Sequence, residues 1–210
     1  AGNAMGQLRP DQLVSGGLTT DSTPAIVRAF AALNLNAATL TVSFDEPIRS
    51  GSVNVASMIL QDFSVVLEDA ISNFTGVVTT STNDSILILL SVEDIDRIQL
   101  STVCLRRSSC WLQLETAFAN DMSGNPISTV STVTAFPVLN LTVDSISPVL
   151  LNVSVDMNLG ELTLTFSEPC LTSATRTAGF ALSTSTTQFG LVSLAGATAL
   201  TSTNSRVQRF

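Results

Sequence analysis

Two of the chain's three cysteines stand close enough in sequence to react with each other. Cys104 and Cys110 flank the polar stretch Leu-Arg-Arg-Ser-Ser, which lies between two more apolar segments. A disulfide here closes a small ring around a hairpin-like turn and contributes about 2 kcal/mol on the chain-entropy model. Metal binding would need His or further Cys nearby, and the chain has no His. We therefore predict a Cys104–Cys110 disulfide, the alternative being two reduced and unrelated thiols.

Cys170 is the third cysteine and has no obvious partner in the sequence. We predict that it pairs with a cysteine outside this segment, either further along the polypeptide or in another chain. The alternative is a buried thiol that takes part in no bond.

Acidic residues could provide a second kind of chemistry, because carboxylate oxygens are the preferred ligands of Ca²⁺. The candidates are Asp45, Glu46, Asp121, Asp144, Asp156 and Glu168. The sequence contains no Asp-x-Asp-x-Asp loop. We expect solvated turn carboxylates and predict neither a metal site nor a cofactor.

The chain has few side chains suited to catalysis, because it has no His, Lys or Tyr. It therefore lacks the usual general base, the Schiff-base amine and the phenol donor. Asp45 and Glu46 are neighbours on a predicted strand and face opposite sides, which does not suit a glycosidase pair. We predict that the protein is not an enzyme.

Four Asn-x-Ser/Thr sequons are candidate N-glycosylation sites, at Asn73, Asn83, Asn140 and Asn152. Only 12% of residues are charged, against roughly 25% in a typical protein. A hydroxyl-rich, weakly charged surface favours a coat of covalent glycans, the alternative being an ordinary polar surface. Asn73 and Asn83 fall at predicted turns, whereas Asn152 lies in a predicted strand and must point outward to be modified.

Charge and hydropathy exclude two classes of partner. The net charge of −8 argues against nucleic acid, whose phosphates require clustered Lys and Arg. The longest apolar run covers residues 86–90, whereas a membrane span needs about 20 apolar residues. The first residues do not resemble a signal peptide, so a secreted protein would carry its signal upstream or would have lost it.

The elements that position these residues are indicated by a passage that occurs twice, at 35–47 and at 157–169. Phe44 and Phe166 lie 122 residues apart, and the aligned passages need no gap. A period of this length is one whole domain and indicates a tandem array. Within each passage apolar and hydroxyl residues alternate, which is typical of a half-buried strand in an antiparallel sheet.

The chain is predicted to be all-β, with tandem Ig-like antiparallel sandwiches and one short helix inserted in the complete repeat. Residues 1–22 are the end of a preceding repeat, a linker or a donor strand. Residues 23–143 form a complete repeat, whose last predicted strand is 128–135 and whose helix covers 91–98 behind a Ser-x-x-Asp cap. Residues 144–210 form the first half of a second repeat, which we expect to be completed by a longer polypeptide or by a neighbouring chain.

Two groups of residues resemble a known family. These are the passage Thr39-Leu-Thr-Val-Ser-Phe-Asp-Glu-Pro-Ile48 with its later copy, and the turn Asn120-Asp-Met-Ser-Gly-Asn-Pro126. Together they resemble bacterial-type Ig-like modules of surface-layer proteins and adhesins. The added Cys-x5-Cys is similar to repeats of large extracellular algal and protist glycoproteins, such as those of mastigoneme-type flagellar hairs and surface fibrils.

These features predict a structural segment of an extracellular glycoprotein, at the cell surface or in a secreted filament. Its partners would be copies of itself or further repeats of the same chain. The alternative is an adhesin or carbohydrate-binding module, although such sites usually expose several aromatic rings and this chain has one Trp and no Tyr.

Overall fold

The computed structural model describes residues 19–63, 69–82, 84–183, 191–200 and 203–210. Most of the predicted segment 1–22 therefore lies outside the described residues. The described part is mostly β, with one α-helix, α1, at Val92–Gln99. Its strands are β1 Val27–Asn34, β2 Thr39–Phe44, β3 Met58–Gln61, β4 Ala70–Ile71, β5 Val77–Thr82, β6 Ser85–Leu89, β7 Trp111–Leu114, β8 Phe136–Thr142, β9 Leu150–Asp156, β10 Glu161–Cys170, β11 Ala181–Leu182, β12 Val192–Ser193 and β13 Ser205–Arg209.

The first eight strands form one mixed sheet in the order β4-β3-β7-β8-β1-β2-β6-β5. Strand β8 connects its two halves. At its start, Phe136 lies opposite Leu112 of the antiparallel β7, and from Val138 onward β8 runs parallel to β1. The sheet curls on itself, because both halves contribute side chains to the same core. The predicted β-rich class is therefore confirmed.

The core is built by the alternation seen in the sequence. Leu40, Val42 and Phe44 of β2 are buried, whereas the intervening residues are half-buried. Strands of the other half face them with residues such as Leu60 and Leu112, which are also fully buried. Burial of aliphatic side chains on both inner faces is the main favourable term for such a sheet.

Helix α1 begins at the predicted cap. Ser91 Oγ accepts a hydrogen bond from the Asp94 backbone N–H at 3.1 Å, and Asp94 accepts one in return from the Ser91 N–H at 3.1 Å. Ile95 and Ile98 are buried, so the inner face of the helix belongs to the core. In the described part of the chain, no helix is long and apolar enough to cross a membrane.

The predicted strand at 128–135 is wrong. Residues Thr132–Thr134 form a 3₁₀ turn and Val133 is 69% exposed, while the strand is β8 at Phe136–Thr142. In the structure Pro137 lies opposite Trp111, next to the point where β8 leaves β7 for β1.

The second part of the chain contains a three-stranded sheet in the order β13-β10-β9. A four-residue turn joins β9 to β10, as another joins β1 to β2. Each turn has one residue with positive φ, Ala38 at 53° and Gly160 at 68°, and these two residues are 122 positions apart. A small apolar cluster of Leu162, Leu164 and Phe210 covers one face of this sheet.

Beside the turn of each hairpin, strand pairing in the two parts has the same register when 122 is added to each residue number. In the first part β2 pairs with β6, and in the second β10 pairs with β13. The pairs Thr41–Leu87, Val42–Ile86 and Ser43–Ser85 correspond to Thr163–Arg209, Leu164–Gln208 and Thr165–Val207. The pairs Leu33–Leu40 and Asn34–Thr39 correspond in the same way to Val155–Leu162 and Asp156–Glu161. Farther from the turn the registers differ by one residue, because Phe30 pairs with Val42 whereas Val153 pairs with Leu164. The sequence repeat is therefore matched by equal backbone pairing beside the turn.

We expect Gly76→Ala to destabilise the protein. A Cβ at Gly76 would lie 2.6 Å from the backbone carbonyl oxygen of Leu89, which cannot move without disturbing β6. Overpacking of this kind costs about 1–3 kcal/mol, and urea unfolding measures it. Gly51→Ala is the control, because a Cβ there meets nothing within 4 Å. Equal stability of the two variants would contradict the close packing of Gly76 against β6.

Candidate functional site

The predicted disulfide is present and joins Cys104 to Cys110. Both residues are fully buried. The enclosed turn is tightened by a hydrogen bond of 2.6 Å from the Cys104 N–H to the Ser109 carbonyl. The Cys110 carbonyl accepts from the Val138 N–H at 3.0 Å, so the cross-linked turn also holds β8. The disulfide thus fixes the loop beside the strand that connects the two halves of the sheet.

We expect the double variant Cys104→Ser/Cys110→Ser to lose about 2 kcal/mol of unfolding free energy, because the small ring no longer restricts the unfolded chain. Chemical denaturation of the oxidised protein and of the variant measures the difference. Cys170→Ser is the control and should leave the midpoint nearly unchanged. If the double variant matches the oxidised protein in stability, the disulfide makes no net contribution.

The described sequons lie on the surface. Asn73 is exposed in the loop between β4 and β5, with a left-handed backbone of φ 55°. Asn140 on β8 and Asn152 on β9 are also exposed, and Asn140 Nδ2 donates to the Ala31 carbonyl at 3.1 Å. Asn83 lies outside the described residues. Glycosylation at all four positions stays a prediction.

Cys170 forms no disulfide within the described residues and is half-buried at the end of β10. Burial raises the pKa of its thiol, and the neighbouring charge of Glu168 adds to the effect. A raised pKa reduces the thiolate fraction at neutral pH and hence the reactivity of the sulfur. The predicted partner outside this segment remains untested.

The structure separates the six candidate acidic residues into different surroundings. Asp45 accepts from the Ile26 N–H at 2.7 Å, and Asp156 accepts from two N–H groups of the turn that follows β9. These contacts are the strand-end and turn roles expected of solvated carboxylates. The remaining four fall into two clusters.

The first cluster joins Glu46 and Asp121 to Asp21, with one carboxylate oxygen of each within 4.8 Å of the others. Asp121 is fully buried and accepts from the Asn125 N–H at 2.8 Å and from Asn125 Nδ2 at 2.7 Å. Burial opposes ionisation of Asp121, but the hydrogen bonds from Asn125 outweigh it and lower the pKa. The pKa of Glu46 is raised by burial and then by the charges of Asp21 and Asp121. Asn125 therefore organises this cluster.

The second cluster joins the two parts of the chain. Gln99, at the end of α1, donates from Nε2 to Asp144 at 2.7 Å and to Glu168 at 3.2 Å. One amide group therefore holds two carboxyls, one from the linker between β8 and β9 (residues 143–149) and one from β10. Burial raises the pKa of Glu168, and the charge of Asp144 raises it further, while Gln99 and Arg206 partly offset the shift.

An ion pair adjoins this cluster. Arg206 of β13 donates to both carboxylate oxygens of Asp96 on α1, at 2.5 and 2.6 Å, and also to the Ser167 carbonyl. A bidentate ion pair of this kind fixes the orientation of the two side chains as well as the distance between them. Helix α1 therefore contacts both β10 and β13 through its outer face.

A further pair of hydrogen bonds fixes the linker. Asn36 donates to Ser145 Oγ at 3.1 Å and accepts from the Ser145 N–H at 3.0 Å. A cavity of about 440 Å³ lies alongside, with Leu35, Ile98, Ile146 and Pro148 in its lining. We refer to these contacts of Asn36, α1, the linker, β10 and β13 as the joint.

Sequence reasoning singled out Asp144 and Glu168 but missed Asp96, Gln99 and Arg206. These three carry no motif of their own. Their only signal is that Asp96 and Gln99 lie on α1 away from the buried Ile95 and Ile98, where solvent-facing polar residues are ordinary.

We expect Glu168→Gln to stabilise the protein at pH 7 and to flatten its pH dependence. Because the folded-state pKa of Glu168 is above its ordinary value near 4.5, the folded state gains a proton before the unfolded state as pH falls. Stability therefore rises as pH drops through the window between the two values, and is lost as pH rises through it.

The measurement is the difference in unfolding free energy between variant and wild type from pH 4 to pH 8. The gain from Glu168→Gln should be present above the raised pKa and should shrink toward acid pH. Glu161→Gln, on the same strand, is the matched control. A difference that does not change with pH would show that Glu168 contributes no titration to the joint.

Comparison with protein-family models, with curated proteins and with solved structures found no match. The functional interpretation therefore depends on the fold and on the joint.

Proposed function

We propose that this chain is a structural, non-catalytic repeat segment of an extracellular glycoprotein that forms or coats a fibril or a cell-surface filament. In this proposal the two parts are successive Ig-like sandwich modules. The observation that carries it is the equal strand register beside the turns of the two parts, at a spacing of 122 residues. Regular repetition of whole domains builds length, with each repeat contacting its neighbours.

The joint supports a stiff array rather than a flexible string. Its polar contacts combine the Arg206–Asp96 ion pair with the Gln99 amide that holds Asp144 and Glu168. Contacts of Asn36 with Ser145 fix the linker at a further point. Because these three contacts hold the modules together, the linker is restrained from flexing and the array resists bending.

The exposed sequons and the disulfide support an extracellular location. Asn73, Asn140 and Asn152 are exposed, as an acceptor for glycan must be. The buried disulfide suits an oxidising compartment. Glycans on these positions would hydrate an outer surface that has few charges of its own.

Electron microscopy of native material tests the proposal. We expect regular filaments with an axial repeat set by the module, and side density removed by an N-glycosidase. Mass spectrometry after the same treatment maps occupied sequons, and Asn73→Gln is the control for the Asn73 site. Dispersed single particles without glycan at any sequon would contradict the proposal.

A further inference from the structure

Strand β9 lies at one edge of its three-stranded sheet in the part of the chain that the structure describes. Its inner edge pairs with β10. On its outer edge no strand of the described residues is paired, and all seven residues of β9 are exposed. An edge of this kind presents a row of unpaired backbone N–H and C=O groups to any extended chain.

The first part of the chain shows how the equivalent edge is covered. Strand β1 corresponds to β9 by the 122-residue spacing, and β8 runs parallel to it along the other edge. Leu33 and Leu35 are 0% and 8% exposed, whereas their counterparts Val155 and Met157 are 41% and 84% exposed. Equivalent apolar side chains are therefore buried in the first part, where β8 lies beside β1, and exposed in the second part, where no described strand lies beside β9.

The composition of β9 does not protect its edge. Natural edge strands carry Lys, Pro, bulges or inward charges that discourage pairing. Strand β9 reads Leu-Leu-Asn-Val-Ser-Val-Asp, with a single charge at its end. Its one bulge lies at its start, between Leu150 and Asn152, and its pairing from Asn152 to Asp156 is regular. Val153 and Val155 lie opposite Leu164 and Leu162, on the face that the small apolar cluster occupies. Strand β9 therefore offers both backbone groups and an apolar face.

We propose that the outer edge of β9 binds an extended strand of the β8 type, running parallel to β9. The partner strand is uncharged, as β8 is, and has apolar residues at the positions of Val138 and Leu141. By the register of β8 on β1, the position of Leu141 lies opposite Val155, the counterpart of Leu33. The inference rests on the proposed function, because it specifies how one repeat accepts a strand from its partner. Strand addition to a sheet edge is an established mode of peptide recognition.

The probe is a synthetic peptide with the sequence of residues 135–143, Ala-Phe-Pro-Val-Leu-Asn-Leu-Thr-Val, added to the full 210-residue chain. Fluorescence anisotropy measures affinity, and amide NMR shifts locate the site. We expect saturable binding with shifts concentrated on β9, and no binding of a scrambled peptide of the same composition. Absence of saturable binding by the native peptide overturns the proposal.

Two further peptides test backbone pairing. One is N-methylated at every second residue and the other at the alternate residues. Because alternate N–H groups of a strand point to opposite edges, only one of the two should lose binding. Equal binding of both peptides would overturn pairing with the edge.

A variant of the protein tests the same point. The Leu162 N–H donates to Phe210, so its partner Val155 directs its own N–H to the outer edge. Val155→Pro removes that donor without removing a hydrogen bond to β10, and should weaken peptide binding about tenfold or more. Val155→Thr keeps the N–H and is the matched control. Unchanged binding by a folded Val155→Pro variant counts against the proposal.

Orientation is tested with a nitroxide on either end of the peptide. In the parallel arrangement an N-terminal label broadens the amide signals near Leu150, and a C-terminal label broadens those near Asn158. The reverse pattern overturns the parallel register. Concentration-dependent broadening of β9 without peptide would show that two copies pair through β9, which also overturns the proposal.

The proposed function and this inference can fail separately. Filaments in native material without peptide binding would overturn only the strand inference. Peptide binding by β9 without filaments would overturn the proposed function and leave the docking edge in place.

Discussion

The pairing of β1 with β2 at one fixed register is the constraint on which the rest of the structure depends. A one-residue slip would turn every apolar side chain of β2 away from the core. With the register fixed, the outer edge of β2 receives β6 and the outer edge of β1 receives β8. Strand β8 then reaches β7, and β7 reaches β3. Both halves of the core follow from one hairpin.

The joint follows from the placement of a helix against this sheet. Ile95 and Ile98 bind α1 to the core, and Asp94 fixes it by accepting from the Thr75 N–H at 3.1 Å. Its outer face is thereby held in place, which allows Asp96 and Gln99 to contact the following part of the chain. Burial of Glu168 and the neighbouring carboxyl of Asp144 disfavour the ionised form of Glu168 and raise its pKa. The ion pair of Arg206 supplies a compensating attraction nearby.

The two parts of the chain contrast in how completely their apolar surface is covered. In the first part the two halves of the sheet enclose a continuous core. In the second a small cluster is shielded while β9 remains exposed on all its residues. The difference arises from cover and not from composition, since the hairpins share their residue pattern, their turn and the register beside the turn. In an array of such units, the surface that β8 covers on β1 would correspond to the surface of β9 that contacts a partner.

The sequence by itself determined the elements that depend on short spacings. Alternation predicted the strand at Thr39–Phe44, the Ser-x-x-Asp pattern predicted the start of α1, and the Cys-x5-Cys spacing predicted the disulfide. These signals act between residues that are neighbours along the chain. They also gave the 122-residue period, which the strand pairing beside the turns matches.

Only the tertiary structure decided which distant residues meet. Gln99 contacts Glu168 across 69 positions, and Asp96 contacts Arg206 across 110. The tertiary structure also placed β8 between two partners, antiparallel to β7 and parallel to β1. No local pattern encodes such contacts, because they form only after the core has fixed the helix and the sheet edges in space.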